Sequence, residues 1–177
     1  MKYEYWFANI QGITGQRKRE IRRYFRAAEE LYYIEETALK KYQIQEKEQT
    51  KILDSIRQWQ LEEEYAKLEQ KGVRLVTDLD EIYPKRLRHI SSAPYALYVK
   101  GKLPNEHGMT AAIVGARECS PYGESMARSF AKALASAGIQ IISGMARGVD
   151  SAAQRGALSV GGESFGILGC GVDICYP

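Results

Sequence analysis

The sequence predicts an α/β protein in which a parallel sheet follows a helical N-terminal region. Three observations carry that expectation. From Thr110 onward, three short apolar runs (Ala111–Gly115, Ile139–Ser143 and Ser164–Gly169) alternate with two helix-like stretches, Pro121–Ala137 and Val149–Val160. Short unbroken apolar runs between helices suit parallel strands covered on both faces. Residues 3–70 instead carry apolar residues at helical spacing, as at Ile21, Phe25 and Ala28 (i, i+4, i+7).

The elements follow in order. Tyr3 to Ile10 reads as a short helix ended by Gly12, and Gly12-Ile13-Thr14-Gly15 as a turn. A basic helix starts at about Gln16, a second helix covers Glu30–Tyr42, and a longer one covers Glu46–Gln70 with Gly72 as its C-cap. Val73–Thr77 is a strand, Tyr83-Pro84 redirects the chain, Ala96–Gly101 is a second strand and turn, and 102–109 is a connecting loop. In the helix Pro121–Ala137, Ser120 suits the N-cap, Pro121 the first turn, and Met126, Phe130 and Leu134 form the expected core stripe. Gly138 closes it. The Ala/Gly-rich helix from Val149 can pack close to the sheet and ends at Gly161-Gly162.

Size and composition set bounds. The 177 residues fit one domain, or one with a small partner. A net charge of +3 does not by itself select nucleic acid, but Arg17, Lys18, Arg19, Arg22, Arg23 and Arg26 crowd ten residues with Glu20 as the only acid. That run is either a solvated helix face or a DNA-contacting one. The N-terminus lacks a signal-peptide core and no apolar run spans a bilayer, so the expected location is the cytoplasm, with no membrane partner. Cys119, Cys170 and Cys175 form no C-x-x-C pair and read as reduced, mostly buried thiols, Cys119 being the one placed in a loop. His89 and His107 are isolated surface residues, and no metal or cofactor is expected.

Function concentrates in two loops. Each apolar run ending at Gly115 or Gly144 is followed by an arginine and a helix start, which places both loops at the carboxyl edge of the sheet, where open α/β folds bind ligands. Helix starts expose unpaired N–H groups and partial positive charge, and so attract phosphate. Glycine at 123, 144 and 148 allows close approach, Ser120 and Ser143 offer hydroxyls, and Arg117 and Arg147 grip phosphate oxygens. The expected phosphate-binding set is therefore Arg117, Ser120, Gly123, Ser143, Gly144, Ala146, Arg147 and Gly148. Competing roles are an N-cap for Ser120, tight turning for the glycines, and an Arg147–Asp150 ion pair. Tyr122 is a stacking or packing residue. Gly169-Cys170-Gly171 lacks a following helix, the first loop lacks G-x-G-x-x-G, and no P-loop motif is present, which disfavours NAD and NTP. No catalytic residue is assigned.

Four ordered motifs resemble the DNA-processing protein family DprA, also called Smf. They are Gly115-Ala116-Arg117-x-x-Ser120-x-Tyr122-Gly123, Ser143-Gly144-x-Ala146-Arg147-Gly148-Val149-Asp150, Arg155-Gly156-Ala157-Leu158, and Gly166-Ile167-Leu168-Gly169-Cys170-Gly171-x-Asp173-x-x-Tyr176-Pro177. Tyr83-Pro84-x-x-Leu87 and Pro94-x-x-Leu97-Tyr98-x-x-Gly101 resemble the approach to that domain, and residues 12–25 are more weakly similar to a helix-hairpin-helix-like SAM-type domain. The resemblance implies an extended Rossmann-like fold, incomplete here: a SAM-like helical domain over 1–70 and the N-terminal part of a Rossmann-like DNA-binding domain over 71–177.

The same resemblance implies a non-enzymatic protein of natural transformation and recombination that binds and protects single-stranded DNA, helps load the recombinase RecA, and forms a homodimer when full length. Arg117 then matches the DNA-contacting arginine, and the Ser143–Gly148 loop the phosphate-facing turn. Ala116 stands where serine is usual and Gln154 where many members have histidine. The family pattern continues past Pro177, so a fragment is expected, with the third parallel strand left as an exposed or swapped edge. The rival reading is a nucleotide-binding Rossmann-like enzyme of the phosphoribohydrolase type, although its Gly-Gly-x-Gly-Thr loop and catalytic glutamate are missing from the sequence.

Overall fold

The computed structural model describes residues 1–174, so the readings at Cys175, Tyr176 and Pro177 lie outside the described residues. The chain divides into two compact units, Met1–Gly101 and a second beginning at Lys102.

The first unit comprises α1 (Lys2–Asn9), α2 (Gly15–Arg22), α3 (Ala28–Tyr32), α4 (Glu36–Leu39), α5 (Glu46–Gln58), α6 (Leu61–Gln70), β1 (Val73–Thr77), α7 (Lys85–Arg88) and β2 (Ala96–Lys100). Its core is built from Trp6, Phe7, Ile21, Leu31, Leu39 and Ile52, all fully buried, and Tyr95 stacks edge-on against Phe7 at 5.3 Å. β1 and β2 pair antiparallel, from Val73↔Lys100 to Thr77↔Ala96. Thr14 starts α2 by accepting a hydrogen bond from the Arg17 amide, 3.2 Å.

Two expected helices are broken. The stretch 30–42 splits into α3 and α4 because Tyr32-Tyr33-Ile34, a run of poor helix formers, packs sideways. The rings of Tyr32 and Tyr33 lie 5.4 and 5.8 Å from Tyr3. The stretch 46–70 breaks at Trp59, which is extended (φ −82°, ψ 122°) with its ring 5.7 Å from Tyr5. That bend lets Leu61 re-enter the core.

The basic run is mostly internal wiring. Arg17 binds Glu48 and Glu20, and the buried Lys18 amine donates to the Ala8 carbonyl. Arg19 donates to the Ala93 carbonyl at 2.7 Å and faces Asp78 at 3.7 Å. Arg22, buried, donates to Glu4 at 2.7 Å and to the carbonyls of Phe25 and Arg26. The side chains of Arg23 and Arg26 are exposed and have no hydrogen bond or ion pair among the described residues.

The second unit contains β3 (Thr110–Ala112), α8 (Pro121–Ser136), β4 (Gln140–Ser143), α9 (Val149–Leu158) and β5 (Ser164–Gly166). The strands are parallel in the order β3-β4-β5. This is the expected Rossmann-like arrangement, with shorter strands than the apolar runs suggest. Single hydrogen bonds, Ile113 N–H to Ile142 O (3.0 Å) and Ile167 N–H to Ser143 O (2.8 Å), carry each outer strand one residue further before the chain leaves the sheet.

Because the order does not reverse, right-handed crossovers put α8 and α9 on one face of the sheet. They pack on each other through Ala127, Ala131 and Ala135 of α8 and Ala153, Gly156 and Ala157 of α9. A Cβ at Gly156 would come within 2.4 Å of the Arg128 carbonyl oxygen. This close approach displaces the expected Met126/Phe130/Leu134 stripe. Phe130 is 58 % exposed, and Leu134 only borders the core. Buried Gln140 fastens the 102–109 loop by exchanging hydrogen bonds with the Asn105 backbone (2.7 and 3.1 Å).

Candidate functional site

The β3–α8 and β4–α9 loops lie at the carboxyl edge of the parallel strands, and one side chain organises both. Asp150, in the first turn of α9 and 5 % exposed, accepts from the amides of Gly115 (3.1 Å), Gly144 (3.1 Å) and Ala146 (3.4 Å). Bonds to a carboxylate are among the stronger kinds. An anion does sit on these amides, but it belongs to the chain itself. The expectation of open amides awaiting a ligand is corrected accordingly. Gly144 is required here because a Cβ would lie 2.7 Å from the Asp150 Oδ2.

The loops also touch directly. Gly148 (φ +75°) faces the first loop so closely that a Cβ would fall 2.3 Å from the Ala116 carbonyl oxygen and 2.6 Å from that of Arg117. The Val149 amide donates to Ala116 O at 3.2 Å. Arg147, the neighbour of Gly148, is therefore held on a loop that abuts the backbone of Arg117. Both arginines are exposed. Arg147 makes no hydrogen bond or ion pair among the described residues, so the expected alternative of an Arg147–Asp150 pair is not what forms.

The other expected members have internal duties. Ser120 caps α8 by accepting from the Gly123 amide at 3.1 Å. Ser143 is buried and donates its hydroxyl to the Ile113 carbonyl at 2.7 Å, bridging β4 to the first loop. Tyr122 is 74 % exposed, which suits a stacking surface better than a packing role. Arg155, one turn along α9, faces Glu124 of α8 at 3.3 Å.

Cys119 is partly exposed and Cys170 exposed, correcting the expectation of mostly buried thiols. His89 and His107 are exposed, and no cluster of three metal-ligating side chains occurs among the described residues. No helix of the described residues is long and apolar enough to cross a membrane. The role of Asp150 is what sequence reasoning missed. Its signal was an acid in the first helical turn after a glycine-rich loop, readable as a charge favoured by the helix start but not as a carboxylate reaching back to another loop.

The family described as DNA recombination-mediator protein A matches this chain over residues 74–177. The chain is 41 % identical over 110 residues to Protein Smf of Escherichia coli, covering 62 % of this chain and 29 % of that protein. It is 37 % identical over 99 residues to the DNA processing protein DprA of Streptococcus pneumoniae, covering 56 % and 35 % respectively. The chain thus spans about a third of the length of these relatives. Among solved structures, that of DprA from Streptococcus pneumoniae superposes with a TM-score of 0.74 at 26 % identity, covering 100 % of this chain and 60 % of that one. A structure of DNA processing protein A from Helicobacter pylori, described as having a unique single-stranded DNA binding mode, gives 0.50 at 28 % identity, covering 59 % and 46 %.

Proposed function

The chain belongs to the DNA recombination-mediator protein A family, and from that premise we propose that it binds single-stranded DNA through Arg117 and Arg147. One observation carries this reading: two loops are locked together by Asp150 and Gly148, leaving two exposed guanidiniums on adjoining backbone. With the Gly115, Gly144 and Ala146 amides already satisfied, the arginine side chains supply the affinity. The Ser143–Gly148 loop and the Ser120–Gly123 cap shape the platform, and Tyr122 offers a face for a base. Binding is to the backbone, so it is nearly sequence-independent and falls with salt.

In the whole protein this activity serves DNA processing in natural transformation and recombination. It protects the incoming strand and helps load RecA, in a cytoplasmic homodimer without catalysis of its own. The enzyme reading is disfavoured because the carboxylate of Asp150 already occupies the loop amides that would cradle a mononucleotide phosphate.

The test is an anisotropy titration of a labelled oligo(dT) at several salt concentrations with the wild type, Arg117→Ala and Arg147→Ala. Each variant is expected to bind all sequences more weakly and to lower the slope of log K against log salt by about 0.7 for each phosphate that is no longer neutralised. Wild-type affinity and slope in both variants would overturn the site. Release of free base from nucleoside monophosphates would replace the reading with the enzyme.

A further inference from the structure

Helix α8 carries an apolar flank that its own packing leaves open. Its contact with α9 uses Ala127, Ala131 and Ala135. With about 100° of turn per residue, Tyr122, Met126 and Phe130 (i, i+4, i+8) share one line on the side away from α9. Tyr122 is 74 % exposed, Phe130 is 58 % exposed, and Met126 between them is half-buried. No other aromatic ring packs on Tyr122 or Phe130 among the described residues. Singly scattered apolar side chains are normal on a surface, but two bare aromatic rings in one file form a patch.

Position and charge select the occupant. Tyr122 lies in the first turn of α8, directly after the loop that carries Arg117, and Phe130 follows about 12 Å further along the helix axis. The ridge is therefore continuous with the arginine loops. Glu124 is the only acid of α8, and it is turned toward Arg155 of α9 at 3.3 Å and Arg128 at 3.6 Å. Glu118, in the preceding loop, is the one acid between Arg117 and Glu124. Beside the ridge stand exposed Ser125, Ser129 and Lys132, and Lys132 has no ion pair among the described residues. A single file of rings edged by hydroxyls and a cation matches a polyanion that carries flat apolar groups. Single-stranded DNA has that chemistry, and each of its bases offers a π-face.

We infer that this flank of α8 is a base-stacking track for the strand held at Arg117. The strand turns along the helix, stacks bases on Tyr122 and Phe130 with Met126 between them, and sets its phosphates toward Ser125, Ser129 and Lys132. This inference rests on the DNA-binding reading above and extends it from the arginine loops to Phe130, eight residues further along α8. Bases then add to affinity whatever their sequence, and a sugar-phosphate chain without bases loses that part.

The experiment compares oligo(dT) with an abasic strand of the same length by anisotropy, using the full chain at several salt concentrations. Phe130→Ala is expected to weaken oligo(dT) binding about five-fold or more, to leave the slope of log K against log salt unchanged, and to bind the abasic strand as the wild type does. Phe130→Trp restores the affinity for oligo(dT). Arg117→Ala instead weakens both strands and lowers the slope. The two readings therefore fail separately. Wild-type affinity for oligo(dT) in Phe130→Ala, with Arg117→Ala impaired, overturns the track and leaves the arginine site standing. Equal losses on both strands in Phe130→Ala also overturn it, as does equal affinity of the wild type for the two strands. A self-association seen by sedimentation and abolished by Phe130→Ala at unchanged DNA affinity gives the flank to a second copy and overturns the inference. Absence of oligo(dT) binding by the wild type overturns both readings. If Phe130→Ala is misfolded by circular dichroism, Phe130→Leu, which keeps apolar bulk without a ring, takes its place with the same criteria.

Discussion

Asp150 and Gly115 meet across two loops: the carboxylate of one accepts from the amide of the other at 3.1 Å, although 35 residues separate them. The same carboxylate holds Gly144 and Ala146, so one acid at a helix start ties two strand ends together. Asp150→Ala would leave three loop donors without their acceptor, and a cost of about 3 kcal/mol is expected, read by urea unfolding. Asp150→Asn keeps one acceptor oxygen but turns an amide –NH₂ toward these donors, and it falls between the two. The vacated amides in Asp150→Ala form an anion site, so millimolar phosphate should raise its Tm more than that of the wild type. Equal phosphate response in both proteins would show that the carboxylate does not occupy an anion position.

Gly148 sets how closely the arginine-bearing loops approach. Its φ of +75° disfavours any side chain, and a Cβ would overlap the Ala116 carbonyl oxygen. Gly148→Ala is expected to cost about 2 kcal/mol and to weaken oligo(dT) binding although no charge is altered. Destabilisation with full DNA affinity would mean that loop spacing does not matter for binding.

Much of this architecture was legible because local signals and tertiary demands agreed. Val73–Thr77 reads as a strand and is one, and Ser120-Pro121 announces the start of α8 and provides it. The failures arise where distant packing overrules periodicity. Trp59 bends the chain without glycine or proline, since its ring packs on Tyr5. Phe130 looks like core by its spacing, yet only alanines fit where α8 meets α9. At the candidate site the two arginines and their loops were visible. The partners of the amides were not, because residue spacing along the chain does not reveal that Asp150 turns back to Gly115.

Lys18 gives the first unit a pH dependence of definite sign. Its amine is buried against the Ala8 carbonyl, and burial pulls its pKa from the usual 10.5 down to about 8. Between those values the unfolded chain holds the proton more tightly than the folded one, so this residue makes stability rise with pH across that window. Below about pH 8 the cost of burying the charge is present in full, up to about 3 kcal/mol. Lys18→Met removes this component. The stability difference between Lys18→Met and the wild type, measured by guanidinium unfolding, should therefore shrink from pH 7.5 to pH 10. A difference constant over that range would place the amine in water.

Ser120 separates capping from ligand contact. Its oxygen accepts from the Gly123 amide at 3.1 Å, and losing such a cap costs about 1 kcal/mol. Ser120→Ala is therefore expected to lower the Tm by a few degrees while changing oligo(dT) affinity less than about two-fold, since the arginines carry the phosphate contacts. Ser120→Asp restores an N-cap and brings a negative charge beside the path proposed for the strand. It should recover the Tm and weaken DNA binding, most strongly at low salt. If Ser120→Ala instead lost ten-fold in affinity at unchanged stability, the hydroxyl would be a DNA donor and the balance between side chains and guanidiniums would have to be redrawn.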